Sequence, residues 1–170
     1  MNRSVAIALA LIAVLHVPKA KATANMVVYQ QPAVGNCDAP LPVYDAHLRK
    51  RPGGILNEGT TPIYVACGMA SDPLADIDGV WATFTNRGSV EQTVKCTLVT
   101  GQRYAISRSY TMEAHVPPAP TIIADPMIFA ASELNTDGGP FQSPQALSCV
   151  LPPKMEMNTN AVQGMRETSP

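Results

Sequence analysis

Short segments of alternating hydrophobicity, separated by glycine- and proline-rich turns, run through most of this sequence. Alternation with a period of two is typical of β-strands that bury one face. No segment after residue 24 shows the apolar repeat of a long helix. Several short strands spaced by turns predict an all-β sandwich or barrel. The expected strands are Gly54–Leu56, Pro62–Gly68, Gly79–Thr85, Thr93–Thr100, Gln102–Glu113, Thr121–Ala131, Ala146–Leu151 and Met155–Val162.

Turn-forming residues between these segments support the same fold class. Asn57–Gly59, Asn86–Gly88 and Thr136–Pro140 contain residues that adopt left-handed or proline-set turns. The strand around Trp81 carries bulky side chains on both faces, so the sequence does not identify the face that points inward. Trp81 is either a core residue, which is the commoner case, or a half-exposed aromatic residue. We predict one antiparallel β-sandwich, Ig-like or jelly-roll-like, over residues 25–170. The tail after Val162 is expected to fray.

The first 24 residues have the pattern of a secretory signal peptide. Arg3 precedes the apolar run Ser4–Val17, and Ala22–Ala24 gives the small-x-small motif that signal peptidase recognises. The apolar run is shorter than the about 20 residues that span a bilayer. Cleavage after Ala24 would leave 146 of the 170 residues. The sequence thus predicts a periplasmic or secreted bacterial protein without an integral membrane segment.

Charge and composition exclude several classes of protein. Only 15% of the residues are charged, and the pI is near 6.3. A coiled coil, a charge-rich disordered chain and a basic nucleic-acid-binding domain are therefore not expected. Removal of the leader leaves 9 basic residues against 13 acidic residues, which gives a net charge of −4. The mature chain is expected to be acidic.

All four cysteines lie in the predicted mature chain, where an oxidising compartment favours two disulfides. Four cysteines allow three pairings. Cys96 and Cys149 each point to the apolar face of an alternating strand, which favours their pairing. Cys67 lies in a similar strand and Cys37 in an irregular segment, so a Cys37–Cys67 bond would attach that segment to the sheet. The closest pair is 29 residues apart, which argues against a structural zinc site.

Four short motifs resemble those of a family of uncharacterised exported bacterial β-sandwich proteins with four cysteines. The motifs are Gly54–Asn57, Val65–Cys67, Val94–Leu98 and Cys149–Pro153. Gly68 departs from the pattern, where the family would have proline. The resemblance implies a small β-sandwich and its disulfides, and it implies no activity.

No known catalytic motif is present. The sequence leaves two interpretations, a noncatalytic protein and an enzyme with a dispersed site. The sequence lacks a zinc-protease HExxH, a GxSxG nucleophile elbow and the glycine-rich nucleotide-binding motifs. Asp45, His47 and His115 are the residues from which a dispersed hydrolase site would be built. A solvated polar loop is the simpler interpretation of Asp45 and His47, and a surface position at the end of a strand is the simpler interpretation of His115.

Three further groups of residues are candidate ligand sites. Asp72, Asp76 and Asp78 offer oxygen ligands but not the full set that calcium requires. Met155 and Met157 share a strand face and have the soft thioether groups that suit copper, although methionine also fills core gaps. The basic segment Arg49–Arg51 would contact an anionic surface or simply lie in solvent. We therefore predict no cofactor and no metal.

The sequence as a whole predicts an exported, noncatalytic binding or interaction protein of unknown specificity, whose partner is unknown and would be an envelope or extracellular protein. Binding by loops and strand edges is usual for such scaffolds. The alternatives are a small secreted hydrolase with a dispersed site and a periplasmic metal-handling protein.

Overall fold

The computed structural model describes residues 23–41, 47–72, 75–101, 107–119, 126–143 and 145–168. These residues form eleven strands and two single-turn helices, α1 (Ala33–Asn36) and α2 (Ala131–Leu134). Within these ranges, no helix has the length and apolar character needed to cross a bilayer. The strands are β1 (Thr23–Pro32), β2 (Cys37–Asp38), β3 (Leu48–Arg51), β4 (Gly54–Asn57), β5 (Ile63–Gly68), β6 (Asp76–Asn86), β7 (Gln92–Thr100), β8 (Arg108–Val116), β9 (Met127–Ala130), β10 (Gln145–Leu151) and β11 (Met155–Thr168).

Two sheets face each other. The first has the order β3-β4-β11-β6-β9, with β1 added to β11, and the second has the order β2-β5-β10-β7-β8. Between the described strands every pairing is antiparallel. From β4 to β11, each strand lies in the opposite sheet from the strand before it, except that β7 and β8 lie in the same sheet. This order of crossings between the two sheets is that of a jelly roll. The predicted sandwich is confirmed, with the jelly-roll topology rather than the Ig-like one.

Alternating strands build the core between the sheets. In β5 the residues alternate strictly between buried and exposed, and in β10 they alternate between buried and partly buried. The inward side chains are almost all aliphatic, aromatic or sulfur-containing, among them Leu98, Phe129 and Leu147. Burial of a side chain of this size stabilises the fold by about 1.5–3 kcal/mol. The period-two pattern in the sequence therefore identifies the core-facing side of these strands.

Both predicted disulfides are present, Cys37–Cys67 and Cys96–Cys149. Each joins residues that are direct register partners on neighbouring strands, with Cα atoms 4.0 and 4.1 Å apart. Both bonds lie within the second sheet and face the core, because all four cysteines are at most 2% exposed. The disulfides consequently reinforce one sheet and do not connect the two sheets.

The ends of the described chain differ from the expectation. The tail after Val162 was expected to fray, but β11 continues to Thr168 because β1 pairs with it from Thr23↔Thr168 to Pro32↔Thr159. Strands β1, β2 and β3 were not predicted. The parts of the expected strands at 102–106 and 121–125, and the predicted leader up to residue 22, lie outside the described residues.

Two loops beside the β10–β11 turn are built in the same way around a buried asparagine. Asn57 Oδ1 accepts from Gly59 N at 2.8 Å, and Asn86 Oδ1 accepts from Gly88 N at 2.9 Å. Each amide nitrogen donates to two backbone carbonyls, one four residues later and one on a distant segment. These acceptors are Thr61 and Leu151 for Asn57, and Val90 and Val116 for Asn86.

The turn between β10 and β11 joins these two loops. Lys154 N donates to Asn57 O at 2.8 Å, and Lys154 O accepts from Arg87 N at 2.9 Å. Arg87 also pairs with the carboxylate of Glu156, whose side chain is 1% exposed. The predicted turns at Asn57–Gly59 and Asn86–Gly88 are therefore parts of one hydrogen-bonded end of the sandwich.

Candidate functional site

A cleft opens at one edge of the sandwich, where β8 meets the segment between α2 and β10. Arg108 and Tyr110 project from β8 to the same side because they are two residues apart on a strand. The cleft encloses about 110 Å³. We call it the Arg108 cleft. Its lining residues are Thr100, Arg108, Tyr110, Asn135, Asp137, Pro140, Phe141 and Gln142.

The Arg108 guanidinium is the polar centre of the cleft. It donates to Asn135 Oδ1 and, from Nη2, to Asp137 Oδ2 at 2.9 Å. The hydrogen bond to Asp137, followed by that with Tyr110, raises the pKa of Arg108. The side chains of Arg108 and Asp137 are 42% and 69% exposed, so their ion pair adds little to stability. It does hold the guanidinium in one position while leaving it open to solvent.

Aromatic side chains form the apolar part of the cleft. The rings of Tyr110 and Phe141 lie with centroids 5.2 Å apart and planes inclined by 46°. Phe141 N donates to Ile77 O in the first sheet at 2.7 Å, and Gly101 N, just after β7 of the second sheet, donates to Gln142 O at 3.0 Å. Because these hydrogen bonds attach Phe141 and Gln142 to both sheets, the cleft is formed before any ligand binds.

The turn that carries Asp137 is held by its own hydrogen bonds. Gly138 N donates to Asn135 O at 2.8 Å, and Asn135 Nδ2 donates to Gly139 O at 2.9 Å. Gly138 has φ +64°, a left-handed conformation that glycine adopts without steric cost. The sequence predicts this turn, but it carries no signal that the turn lies against Arg108, which precedes Asn135 by 27 residues.

His47 and His115 do not form a common site in the described part of the chain. His47 is exposed just before β3 in the first sheet, and His115 is exposed on β8 of the second sheet. Asp45 lies outside the described residues. His115 Nδ1 is 3.1 Å from Thr93 Oγ1 and 3.8 Å from Glu91 Oε1. A catalytic relay needs the hydroxyl and the carboxylate on different ring nitrogens. The contacts of His115 therefore do not form such a relay.

The methionines considered for copper are core residues. Met155 and Met157 are both 0% exposed and pack in the hydrophobic core. Met157 Sδ lies 3.8 Å from Cys67 Sγ, and that cysteine is in a disulfide. The metal-handling alternative is wrong at these two positions, because neither thioether is accessible.

The three aspartates do not converge. Asp76 and Asp78 are exposed, alternating residues of β6, whereas the largely buried Asp72 lies 3.2 Å from Arg166. Within the described ranges no three histidine, cysteine or acidic residues are placed to hold a metal ion.

The basic segment Arg49–Arg51 is neutralised by acidic neighbours. Arg49 and Arg51 contact Glu58 at 3.4 and 2.6 Å, and Lys50 contacts Asp38 at 2.5 Å. Each cation thus has an anionic partner within the protein. This pairing weakens the interpretation that the segment contacts an anionic surface.

Replacement of Glu58 by glutamine is expected to flatten the acid side of the stability–pH curve. The hydrogen bond from Arg51 is the largest cause that lowers the pKa of Glu58 from its ordinary value of 4.5. A carboxyl group with a lowered pKa stabilises the fold above its unfolded pKa, and this stabilisation is lost as the pH falls through the folded value. Urea midpoints between about pH 3 and 7 measure the effect; superimposable curves for the two proteins would contradict it.

Trp81 lies on the outer face of the first sheet. Its neighbours Val80 and Ala82 are both 0% exposed and point into the core, so Trp81 points away from it and is half-buried. Of the two positions left open for Trp81, the structure has the less common one, on the partly exposed face rather than in the core. Alternation alone did not show which face was inward, because bulky residues occupy both.

No protein-family model and no curated protein matches this chain. Among solved structures, the chain is similar to the xylan-binding module CBM15, with 8% identity and a TM-score of 0.44 over 85% of this chain and 100% of that chain. It is also similar to TmCBM61 in complex with β-1,4-galactotriose, with 6% identity and a TM-score of 0.36 over 83% and 88% of the respective chains. Similarity at these scores supports no conclusion about a ligand.

Proposed function

We propose that this protein is an exported, noncatalytic binding protein that takes a neutral, hydroxyl-rich group, such as one residue of a glycan, in the Arg108 cleft. The observation that carries the proposal is the convergence of Arg108, Asn135 and Asp137 on an aromatic floor. Export is supported by the leader pattern and by the two disulfides, which persist in oxidising compartments.

The charge of the cleft favours a neutral ligand. Arg108 and Asp137 carry opposite charges and hydrogen-bond each other. An anion bound by Arg108 would be repelled by Asp137, and a cation bound by Asp137 would be repelled by Arg108. A neutral group can use both without this penalty.

The hydrogen-bonding groups favour hydroxyls. A hydroxyl both donates and accepts, and the cleft offers donors from Arg108, acceptors from Asp137 and Asn135, and both from Gln142. A guanidinium has five N–H donors, more than Asn135, Asp137 and Tyr110 use. The partly buried Tyr110 ring, which packs on the buried Phe141 ring, supplies an apolar surface for the C–H face of a sugar. The combination of few polar groups with aromatic contact is typical of small-molecule sites.

The size of the cleft limits what it can bind. Its volume of about 110 Å³ is smaller than the pockets of about 300–1,000 Å³ that enclose whole small molecules. A cleft of this size takes one group of a larger ligand. A side residue or chain end of a polysaccharide meets this condition, since the remainder would extend into solvent.

Replacement of Arg108 by alanine is expected to weaken glycan binding by at least tenfold. A hydrogen bond to a charged group contributes about 1.5–3 kcal/mol, and each 1.4 kcal/mol is tenfold in affinity. Affinity electrophoresis against xylan, galactan and glucan, with acidic polygalacturonate for comparison, identifies the ligand. Isothermal titration with the matching oligosaccharide measures the affinity.

Arg49→Ala is the matched control, because Arg49 is also an exposed arginine paired with a carboxylate. It should bind like the wild type. The proposal is wrong if none of the neutral polysaccharides retards the protein, or if Arg108→Ala binds as tightly as Arg49→Ala. Stronger binding to polygalacturonate than to the neutral polymers would overturn the assignment of a neutral ligand.

A further inference from the structure

Strand β1 has a long unpaired edge. It pairs with β11 along its whole length of ten residues, and no other described strand pairs with its opposite edge. An edge strand presents a row of backbone N–H and C=O groups that can pair with another chain. Proteins usually protect such edges with charge, proline, bulges or short length. Between Thr23 and Gln31, β1 has neither a charged residue nor a proline.

Exposed apolar side chains flank this edge. Met26, Val28 and Tyr29 are 63%, 44% and 37% exposed, and Met165, the register partner of Met26 on β11, is 36% exposed. In the part of the chain that the structure describes, these four make up half of the exposed large hydrophobic side chains. An apolar group of this kind commonly marks an interaction surface.

The other sheet edges are protected. β2 has two residues, and β9 and β3 have four each. β3 also contains the basic segment Arg49–Arg51. β8 has nine residues, but Arg108, Glu113 and His115 lie along it. Among the described edges, β1 alone combines length with lack of charge.

We propose that β1 pairs antiparallel with β1 of a second copy of this chain, which joins the two six-stranded sheets into one continuous sheet. Self-pairing of β3 would bring like charges together, whereas self-pairing of β1 brings none. A two-fold axis perpendicular to the sheet generates such an antiparallel pair, and two-fold dimers are the commonest homo-oligomers.

The alternation of side chains restricts the register to those in which even-numbered residues lie opposite even-numbered ones, and we place the axis at Val27 within this set. Residues directly opposite each other in an antiparallel pair lie on the same face of the sheet. With Val27 at the two-fold axis, Met26 lies opposite Val28 of the second copy, and this contact occurs twice. Cleavage after Ala24 would place the new amino terminus at Asn25, opposite Tyr29 of the second copy. The two positive termini are then not opposite each other.

Replacement of Val28 by lysine is expected to raise the dimer dissociation constant at least tenfold, because two ammonium groups would then lie near the axis. Sedimentation equilibrium on protein purified after expression of the full chain measures this constant. Deuterium exchange at two protein concentrations tests the location, since the amides within Met26–Tyr29 that do not bond β11 should become more protected at the higher concentration. Val90→Lys is the matched control, because Val90 is 65% exposed outside the strands, and this variant should dimerise normally.

Three results would overturn the proposal. They are a wild-type protein that sediments as a monomer at about 100 µM, a dimer that Val28→Lys leaves intact, and concentration-dependent protection outside β1. If Val28→Lys does not fold, Met26→Glu provides the same test, because Met26 is the most exposed of the three apolar side chains on β1. Glycan binding in the Arg108 cleft is measured independently and has no bearing on this result.

Discussion

Removal of the Cys96–Cys149 disulfide is expected to lower the free energy of unfolding by about 4 kcal/mol. The bond closes a loop with a sequence separation of 53, and in the chain-entropy model such a cross-link destabilises the unfolded chain by about this amount. The bond also joins β7 and β10, two inner strands of the second sheet, so its loss leaves a cavity at their contact. Urea unfolding of Cys96→Ala/Cys149→Ala measures the loss.

Two further double variants provide comparisons for this loss of stability. Cys37→Ala/Cys67→Ala removes a bond with a separation of 30, for which the same model gives about 3.6 kcal/mol. Thr97→Ala/Thr111→Ala removes an exposed cross-strand hydrogen bond of 2.9 Å in the same sheet and should cost less than about 1 kcal/mol. A loss below about 2 kcal/mol for the Cys96–Cys149 pair would show that the bond does not constrain the unfolded chain as the model assumes.

Replacement of Asn57 or Asn86 by alanine is expected to cost about 3 kcal/mol in each case. Both side chains are at most 1% exposed, and each holds three backbone groups. Alanine would leave the buried groups among them without a partner, namely Leu151 O and Gly59 N at Asn57 and Val116 O at Asn86, which costs about 1–3 kcal/mol per group before relaxation. Chemical denaturation at neutral pH measures the two losses, which should agree within about 1 kcal/mol because the two loops have the same construction.

Asn158→Ala serves as the comparison for these two variants. Asn158 is half-buried on the outer face of the first sheet, where it accepts from Thr85 Oγ1 at 2.9 Å. Water can replace this bond, so the expected loss is below about 1 kcal/mol. An Asn57→Ala protein as stable as Asn158→Ala would contradict the role of the asparagine loop.

The sequence predicted what depends on local alternation. Burial of Leu98, Leu147 and their strand neighbours follows from period two, and the inward-facing cysteines led to the right disulfides. It did not predict which strands are neighbours, because pairing is decided by contacts between distant segments. The resemblance to exported four-cysteine proteins stays a prediction.

Two features were missed for physical reasons. β1 lacks the strict alternation of the core strands, since it is largely exposed on both faces and is held mainly by backbone bonds to β11. The Arg108 cleft was missed because its parts are ordinary in isolation: an arginine at a strand start and a glycine-rich turn. Only the fold brings Arg108 to Asp137.

The pairing of β1 with β11 has a consequence for the order of assembly. Of the described strands, the one made first pairs with the one made last, so the first sheet cannot close until nearly the whole described chain has left the ribosome or a translocation channel. Sandwiches dominated by such distant pairings fold in about milliseconds to seconds. During that interval the uncharged segment Met26–Tyr29 is exposed as a free chain. A holdase that shields the N-terminal segment would therefore protect this protein most when emergence of β11 is slow.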